Sequence, residues 1–213
     1  MVNKKIIKKP TKIRTHASAS DWDRSSASWT IQTLVKVSPP SALRLDGAGY
    51  GENIHFICKN SNVLKLPYGR TITFFRHADT ARDLWLIFRN IAAPGIANIA
   101  NCYRAYWYCS NTVWTLEERV NNVQVRQWSS PKTTQLANTW YHFRLSWWLS
   151  WDIMLVSLDL EINGIWVLQG SEITITNPLF GLETYQRPGI GANSRVTVYP
   201  AYIDDTEIWE FIP

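Results

Sequence analysis

The closing third of the chain alternates apolar and polar residues almost without interruption. It runs Asn138–Ser146, then Leu155–Gly164, and ends Ala201–Phe211. Alternation at period two sends successive side chains to opposite faces, so such a segment buries one face only by joining a sheet. The same period recurs upstream, and no long window has the spacing of an amphipathic helix. Candidate strands are Trp29–Val37, Ala42–Leu45, Asn53–Lys59, Thr71–His77, Leu84–Arg89, Asn98–Cys109, Val113–Glu117 and Val123–Trp128. Further along come Trp140–Trp148, Ile153–Ile162, Ile165–Leu168, Glu172–Thr176, Arg195–Tyr199 and Tyr202–Phe211. Breaks fall at Ser38-Pro39-Pro40, Gly47-Ala48-Gly49, Pro67-Tyr68-Gly69, Ala93-Pro94-Gly95, Ser130-Pro131, Asn163-Gly164 and Pro188-Gly189. Many short strands without helices predict an all-β fold of two packed antiparallel sheets.

The length of 213 residues suits one substantial core, and 46% apolar with 18% charged residues marks a globular chain. No apolar run reaches the roughly 20 residues a membrane helix needs. The net charge of +5 is concentrated at one end. Lys4, Lys5, Lys8, Lys9, Lys12 and Arg14 carry +6 with no acid among residues 1–14, which leaves −1 for the rest. The expected organisation is a basic N-terminal arm over residues 1–20 and one domain over 21–213. The domain has no overall charge footprint for nucleic acid, whereas the arm suits phosphate, an anionic membrane or an acidic neighbouring subunit. A solvated terminus that aids solubility is the simpler use of such an arm. The arm does not read as a secretory signal, because no apolar run of 7–15 residues follows the basic residues.

Cys58, Cys102 and Cys109 cannot all pair within one chain. Cys102 and Cys109 are an odd number of residues apart, so on one strand they face opposite ways, and Cys58 reads as a small core residue. None of His16, His55, His77 and His142 lies near a nucleophile elbow or a metal-binding His pair.

Pro40–Gly47, Arg70–Arg76, Leu84–Arg89 and Gly189–Asp205 form an ordered series with the Trp140-Tyr141 strand, the Asn163-Gly164 turn and the Asp204-Asp205 strand. Over residues 28–211 this series resembles the concanavalin A-like, laminin-G-like (LamG-like) jelly rolls. The resemblance implies a two-sheet antiparallel jelly-roll β-sandwich that binds glycans or protein surfaces, and it implies no reaction. Glycosidases of this fold carry Glu-x-Asp-x-Glu on one strand, and Ser157-Leu158-Asp159-Leu160-Glu161 matches it except at Ser157. Ser157, Asp159 and Glu161 are expected to share a face, with Val156, Leu158, Leu160 and Ile162 in the core. A retaining glycosidase needs a carboxylate nucleophile as well as an acid, so no enzyme activity is expected. Asp204 and Asp205 are expected on opposite faces, Asp204 with Tyr202, Thr206 and Ile208. In the resembling modules this pair is structural and sometimes near calcium. A structural role and no cofactor are expected here, with structural calcium left open because it needs several converging oxygens.

Aromatic residues carry the binding expectation. The chain has twelve Trp, and an indole or phenol ring offers a flat apolar platform to the C–H face of a pyranose. In Tyr103–Tyr108, Arg104, Tyr106 and Tyr108 share one face and Tyr103 and Trp107 the other. Trp147–Trp151 reads as a connection between strands that exposes Trp148 or Trp151. His142 and Arg144 share the outward face of the Trp140 strand. The candidate glycan-binding residues are therefore Arg104, Tyr106, Tyr108, Arg144, Trp148 and Trp151, although the same residue types also fill sandwich cores and protein interfaces. Two functional expectations follow. One is a non-catalytic module for a glycan or glycoprotein surface. The other is a structural or attachment subunit of a virion or surface assembly, which self-assembles through the arm. Both place the protein outside the cell or on a surface.

Overall fold

The computed structural model describes residues 22–24, 29–32, 37, 42–45, 53–58, 68–78, 82–91, 99–180, 189–194 and 201–211. The arm over residues 1–20 and the expected strand Arg195–Tyr199 lie outside them. Among the described residues fifteen strands follow in chain order: β1 (Trp22–Arg24), β2 (Trp29–Gln32), β3 (Ala42–Leu45), β4 (Asn53–Cys58), β5 (Tyr68–His77), β6 (Arg82–Phe88), β7 (Cys102–Tyr108), β8 (Val113–Val120), β9 (Val123–Pro131), β10 (Trp140–Ser150), β11 (Ile153–Ile162), β12 (Ile165–Leu168), β13 (Ile173–Thr176), β14 (Gly189–Ser194) and β15 (Ala201–Phe211). No helix long and apolar enough to cross a membrane occurs among the described residues.

The strands form two antiparallel sheets. The first has seven strands in the order β1-β4-β14-β6-β7-β8-β9, and the second has eight, β12-β11-β10-β5-β15-β3-β2 with β13 also paired to β11. The inner faces interlock in one core. Leu84, Leu86, Phe88, Tyr103 and Trp107 of the first sheet meet Phe75, Phe143, Trp147, Val156 and Leu158 of the second. Strand β5 shows the cause: Gly69, Thr71, Thr73, Phe75 and His77 are buried, while Tyr68, Arg70, Ile72, Phe74 and Arg76 between them are half-buried. Period-two patterning thus gives the second sheet a packed inner face and a polar, aromatic outer face.

Trp147 makes a demand on its neighbour. It pairs directly with Gly69, and a Cβ at position 69 would overlap the indole. Glycine is needed for that close approach.

Two tight turns use positive φ. Asn163 (φ 53°) and Gly164 (φ 78°) join β11 to β12, and Asn121 (φ 51°) and Asn122 (φ 66°) join β8 to β9. Paired left-handed residues match the twist of a two-residue hairpin. The first turn was legible in the sequence.

Several expectations are corrected. Strand β14 begins at Gly189, where a break was expected although the resemblance placed closing strands over this run; it lies between β4 and β6, and pairing on both sides holds its Gly- and Ala-containing stretch. Strand β9 continues through Ser130 to Pro131, where a break was expected; it ends the sheet, and proline is tolerated at the end of an edge strand. Strand β10 runs past its expected limit at Trp148 to Ser150, so of the expected connection Trp147–Trp151 only Trp151 lies in the turn. Ile162 is 39% exposed instead of core, at the last position of β11 beside the Asn163-Gly164 turn. The register of β15 shifts between Asp204 and Glu207, so Thr206 and Ile208 face inward with Ala201 and Ile203, not with Tyr202. A bulge inserts a residue and reverses the phase of the alternation beyond it.

Candidate functional site

The outer face of the second sheet carries an open cleft of ≈ 380 Å³ over β5, β10 and β11, with Tyr68, Arg70, Arg144, Ser146, Trp148, Ser157 and Asp159 among its walls. Strand register builds it row by row. Trp148 pairs with Leu155 and with Tyr68; Ser146 pairs with Ser157 and with Arg70; Arg144 pairs with Asp159 and with Ile72. Directly paired side chains on one face are near neighbours, so each row is a local cluster.

The Tyr68 and Trp148 rings stack at 5.4 Å with 9° between their planes. Trp148 remains 38% exposed, so the pair presents a rigid aromatic surface to solvent. Deeper in, Arg144 donates from Nε to Asp159 Oδ2 at 3.0 Å, and its guanidinium carbon lies 4.6 Å from the Trp166 ring centre. Arg70 donates from Nε to Ser146 Oγ at 3.3 Å. Burial, and then the charge of Arg144, push the Arg70 guanidinium below its usual range, with Asp159 opposing the shift. The next row holds His142, whose Nδ1 is 2.6 Å from Glu161 Oε2 and whose ring stacks on Phe74 at 3.8 Å. Burial lowers the His142 pKa despite Glu161, so at neutral pH Nδ1–H of a neutral imidazole donates to the carboxylate.

The six candidate residues separate into two groups. Arg144 and Trp148 line the cleft. Trp151 is 94% exposed at the tip of the β10–β11 hairpin, with φ of 50°. The expectation for the other face is corrected at two positions: Arg104 and Tyr106 are 6% and 5% exposed. Arg104 is held between Trp85 and Tyr106, 4.3 and 4.2 Å from their ring centres, and bonds Glu117 at 3.0 Å. Tyr106 belongs to a second apolar cluster with Trp85, Ile87, Ile99 and Cys102, and half-buried Tyr108 packs against it. Both faces of the first sheet are thus covered around β6 and β7. Cys102 and Cys109 form no disulfide and lie in different clusters, and burial raises the Cys102 pKa to about 12.

Sequence reasoning missed Tyr68, Arg70 and Trp166. The first two depend on pairing between β5 and β10, which are distant in the chain. Trp166 was within reach, because a two-residue turn at Asn163-Gly164 fixes Ile162 opposite Ile165 and so Glu161 opposite Trp166. Asp204 is fully buried, and its two oxygens accept backbone N–H groups from Val37 at 2.7 Å and Asp205 at 2.8 Å. Among the described residues no three His, Cys, Asp or Glu side chains are grouped to hold a metal.

No protein-family model matches the sequence, and no curated protein matches it significantly. Solved structures do resemble the fold. Peanut lectin bound to a nine-residue peptide is 9% identical with a TM-score of 0.56, covering 97% of this chain and 100% of its own. The VIP36 exoplasmic/lumenal domain in its Ca2+/Man3GlcNAc-bound form is 14% identical with a TM-score of 0.52, covering 87% of this chain and 84% of its own. An engineered GH43 glycoside hydrolase is 9% identical with a TM-score of 0.59; the match covers 92% of this chain but only 39% of the hydrolase. At such identities the likeness concerns architecture alone. With its two antiparallel sheets and these neighbours, the chain has the concanavalin A-like lectin/glucanase fold.

Proposed function

We propose that the protein is a non-catalytic, LamG-like module that recognises a glycan or glycosylated surface on the outer face of its second sheet. The observation that carries this reading is the exposed Tyr68–Trp148 stack beside a cleft lined by Arg144, Ser146, Ser157 and Asp159. An aromatic platform next to directional polar groups is the combination that sugar rings require: the platform takes the C–H face and the polar groups orient hydroxyls. Carbohydrate recognition by structural neighbours, such as the mannose-containing ligand in the VIP36 domain, supports the same reading. Trp151, 94% exposed at the hairpin tip, offers a further aromatic surface to a ligand. On this reading the protein works outside the cell or on a surface.

Hydrolysis fits the site poorly. The position of the glycosidase nucleophile is Ser157, Asp159 is bonded by Arg144, and Glu161 is bonded by His142. With serine in that place, the strand lacks the first carboxylate of the Glu-x-Asp-x-Glu pattern, and a retaining mechanism needs a carboxylate nucleophile as well as an acid. A glycan array probed with the full chain and with Trp148→Ala tests the reading. A bound glycan whose signal falls at least tenfold in the variant, with an unchanged melting curve, supports it. Binding indifferent to Trp148, no binding at all, or hydrolysis of β-glucans contradicts it.

One observation favours a second reading, a subunit of a virion or surface assembly. Edge strand β12 exposes Ile165 (68%), Val167 (39%) and Leu168 (43%) without a charged residue or proline to protect it. A solution mass above that of the monomer, reduced by Val167→Lys, is the result this reading expects.

A further inference from the structure

We infer that the cleft selects acidic glycans, with Arg144 reading a carboxylate or sulfate on the sugar. This rests on the glycan reading above and specifies its ligand class. Two guanidinium groups approach the cleft floor from adjacent strands, Arg70 on β5 and Arg144 on β10, in successive rows of the register. Asp159 lies between β10 and the sheet edge, 7% exposed, and bonds Arg144 through Nε alone. Among the described residues the two Nη nitrogens of Arg144 have no hydrogen-bond partner, while the guanidinium plane is fixed by Asp159 on one edge and Trp166 on one face. A fork oriented in this way, with its terminal N–H groups available, matches the two oxygens of an acid group.

Charge points the same way. Arg70 and Arg144 repel across the cleft, Asp159 attracts both of them, and the other carboxylate in the lining, Glu172, is exposed at the rim where water screens it. An anion bound between the two arginines relieves that repulsion. The aromatic stack lies four residues along β10 from Arg144, roughly 13 Å by strand rise. The ligand is therefore an oligosaccharide, with one ring on Trp148 and its acid group on another residue at Arg144. Loss of one charge-assisted bond typically weakens binding about tenfold to a hundredfold.

The test measures binding of the full chain to matched pairs: oligogalacturonate and its methyl ester, a sulfated heparan-type oligosaccharide and its desulfated form, and sialylated lactosamine and lactosamine. The three pairs separate uronate, sulfate ester and sialic acid carboxylate. Variants are Arg144→Gln, Trp148→Ala, and an arm variant with Lys4, Lys5, Lys8 and Lys9 changed to Gln, which removes non-specific attraction to polyanions. The expected result is at least one acidic member bound tenfold or more tightly than its partner. That preference disappears in Arg144→Gln and persists in the arm variant. Equal binding within every pair, a preference that survives Arg144→Gln, or one lost with the arm lysines overturns the inference. Trp148-dependent binding without acid preference would overturn the acid selectivity and leave the glycan reading standing, whereas no binding to any glycan would overturn both.

Discussion

Arg144 Nε and Asp159 Oδ2 are 3.0 Å apart across the β10–β11 pair, and the bond joins two largely buried charged groups of the cleft at 22% and 10% side-chain exposure. Removing the carboxylate leaves a half-buried guanidinium without its counter-charge and without orientation. Asp159→Ala is expected to lower stability by about 1–3 kcal/mol, read from urea unfolding with an unchanged m-value. A change below about 0.5 kcal/mol, within the range of an exposed ion pair, would contradict the assigned role.

Gly69 and Trp147 make a second, purely steric prediction. A methyl group at position 69 would displace the Trp147 indole, which is 3% exposed and stacks on Phe88 at 4.9 Å. Gly69→Ala is expected to cost roughly 1–3 kcal/mol, as overpacking does. An unchanged unfolding midpoint would show that the indole moves freely.

Trp151 contributes little to packing, and its backbone is strained. At 94% exposure and φ of 50°, it holds a bulky residue in a region suited to glycine. Trp151→Gly is expected to leave stability unchanged or raise it by up to about 1 kcal/mol while weakening glycan binding. A loss of stability above about 1 kcal/mol would mean that the ring packs against the domain.

Lys132 gives a prediction with a pH sign. Its Nζ is buried without a hydrogen-bond partner, 4.4 Å over the Trp107 ring centre, and burial lowers its pKa from 10.5 to about 8 despite Cys109 and Asp83. A depressed pKa means that the folded state prefers the neutral amine. The penalty for a charged Lys132 is absent above 10.5, grows as pH falls, and is complete below about 8. Lys132→Met is therefore expected to raise the melting temperature at pH 7, with the gain shrinking as pH rises towards 10. A gain that is constant with pH, or absent at pH 7, contradicts this account.

The parts of the fold that were legible share one property: their signal is local. Ile153–Ile162 and Ile165–Leu168 were placed at their observed limits because alternation and the Asn163-Gly164 turn lie within one short stretch. Faces were legible too, since Arg104, Tyr106 and Tyr108 do lie together. Which face meets water was not. Arg104 and Tyr106 are covered through packing with Trp85, Ile87 and Ile99, a relation set by tertiary pairing. The bulge at Asp204 reversed a phase that simple alternation carried straight through. The cleft itself needed Tyr68 and Arg70 beside Trp148 and Ser146, a register between strands some seventy residues apart. No local pattern encodes that register.

The most direct test of the glycan site follows the indole N–H resonances of the twelve Trp, assigned by single Trp→Phe variants, during titration with the tightest glycan from the array. Trp148, Trp151 and Trp166 are expected to shift in proportion to saturation, while buried Trp85, Trp107 and Trp114 remain still. Shifts confined to other tryptophans, with Trp148 and Trp166 unmoved at saturation, would contradict it.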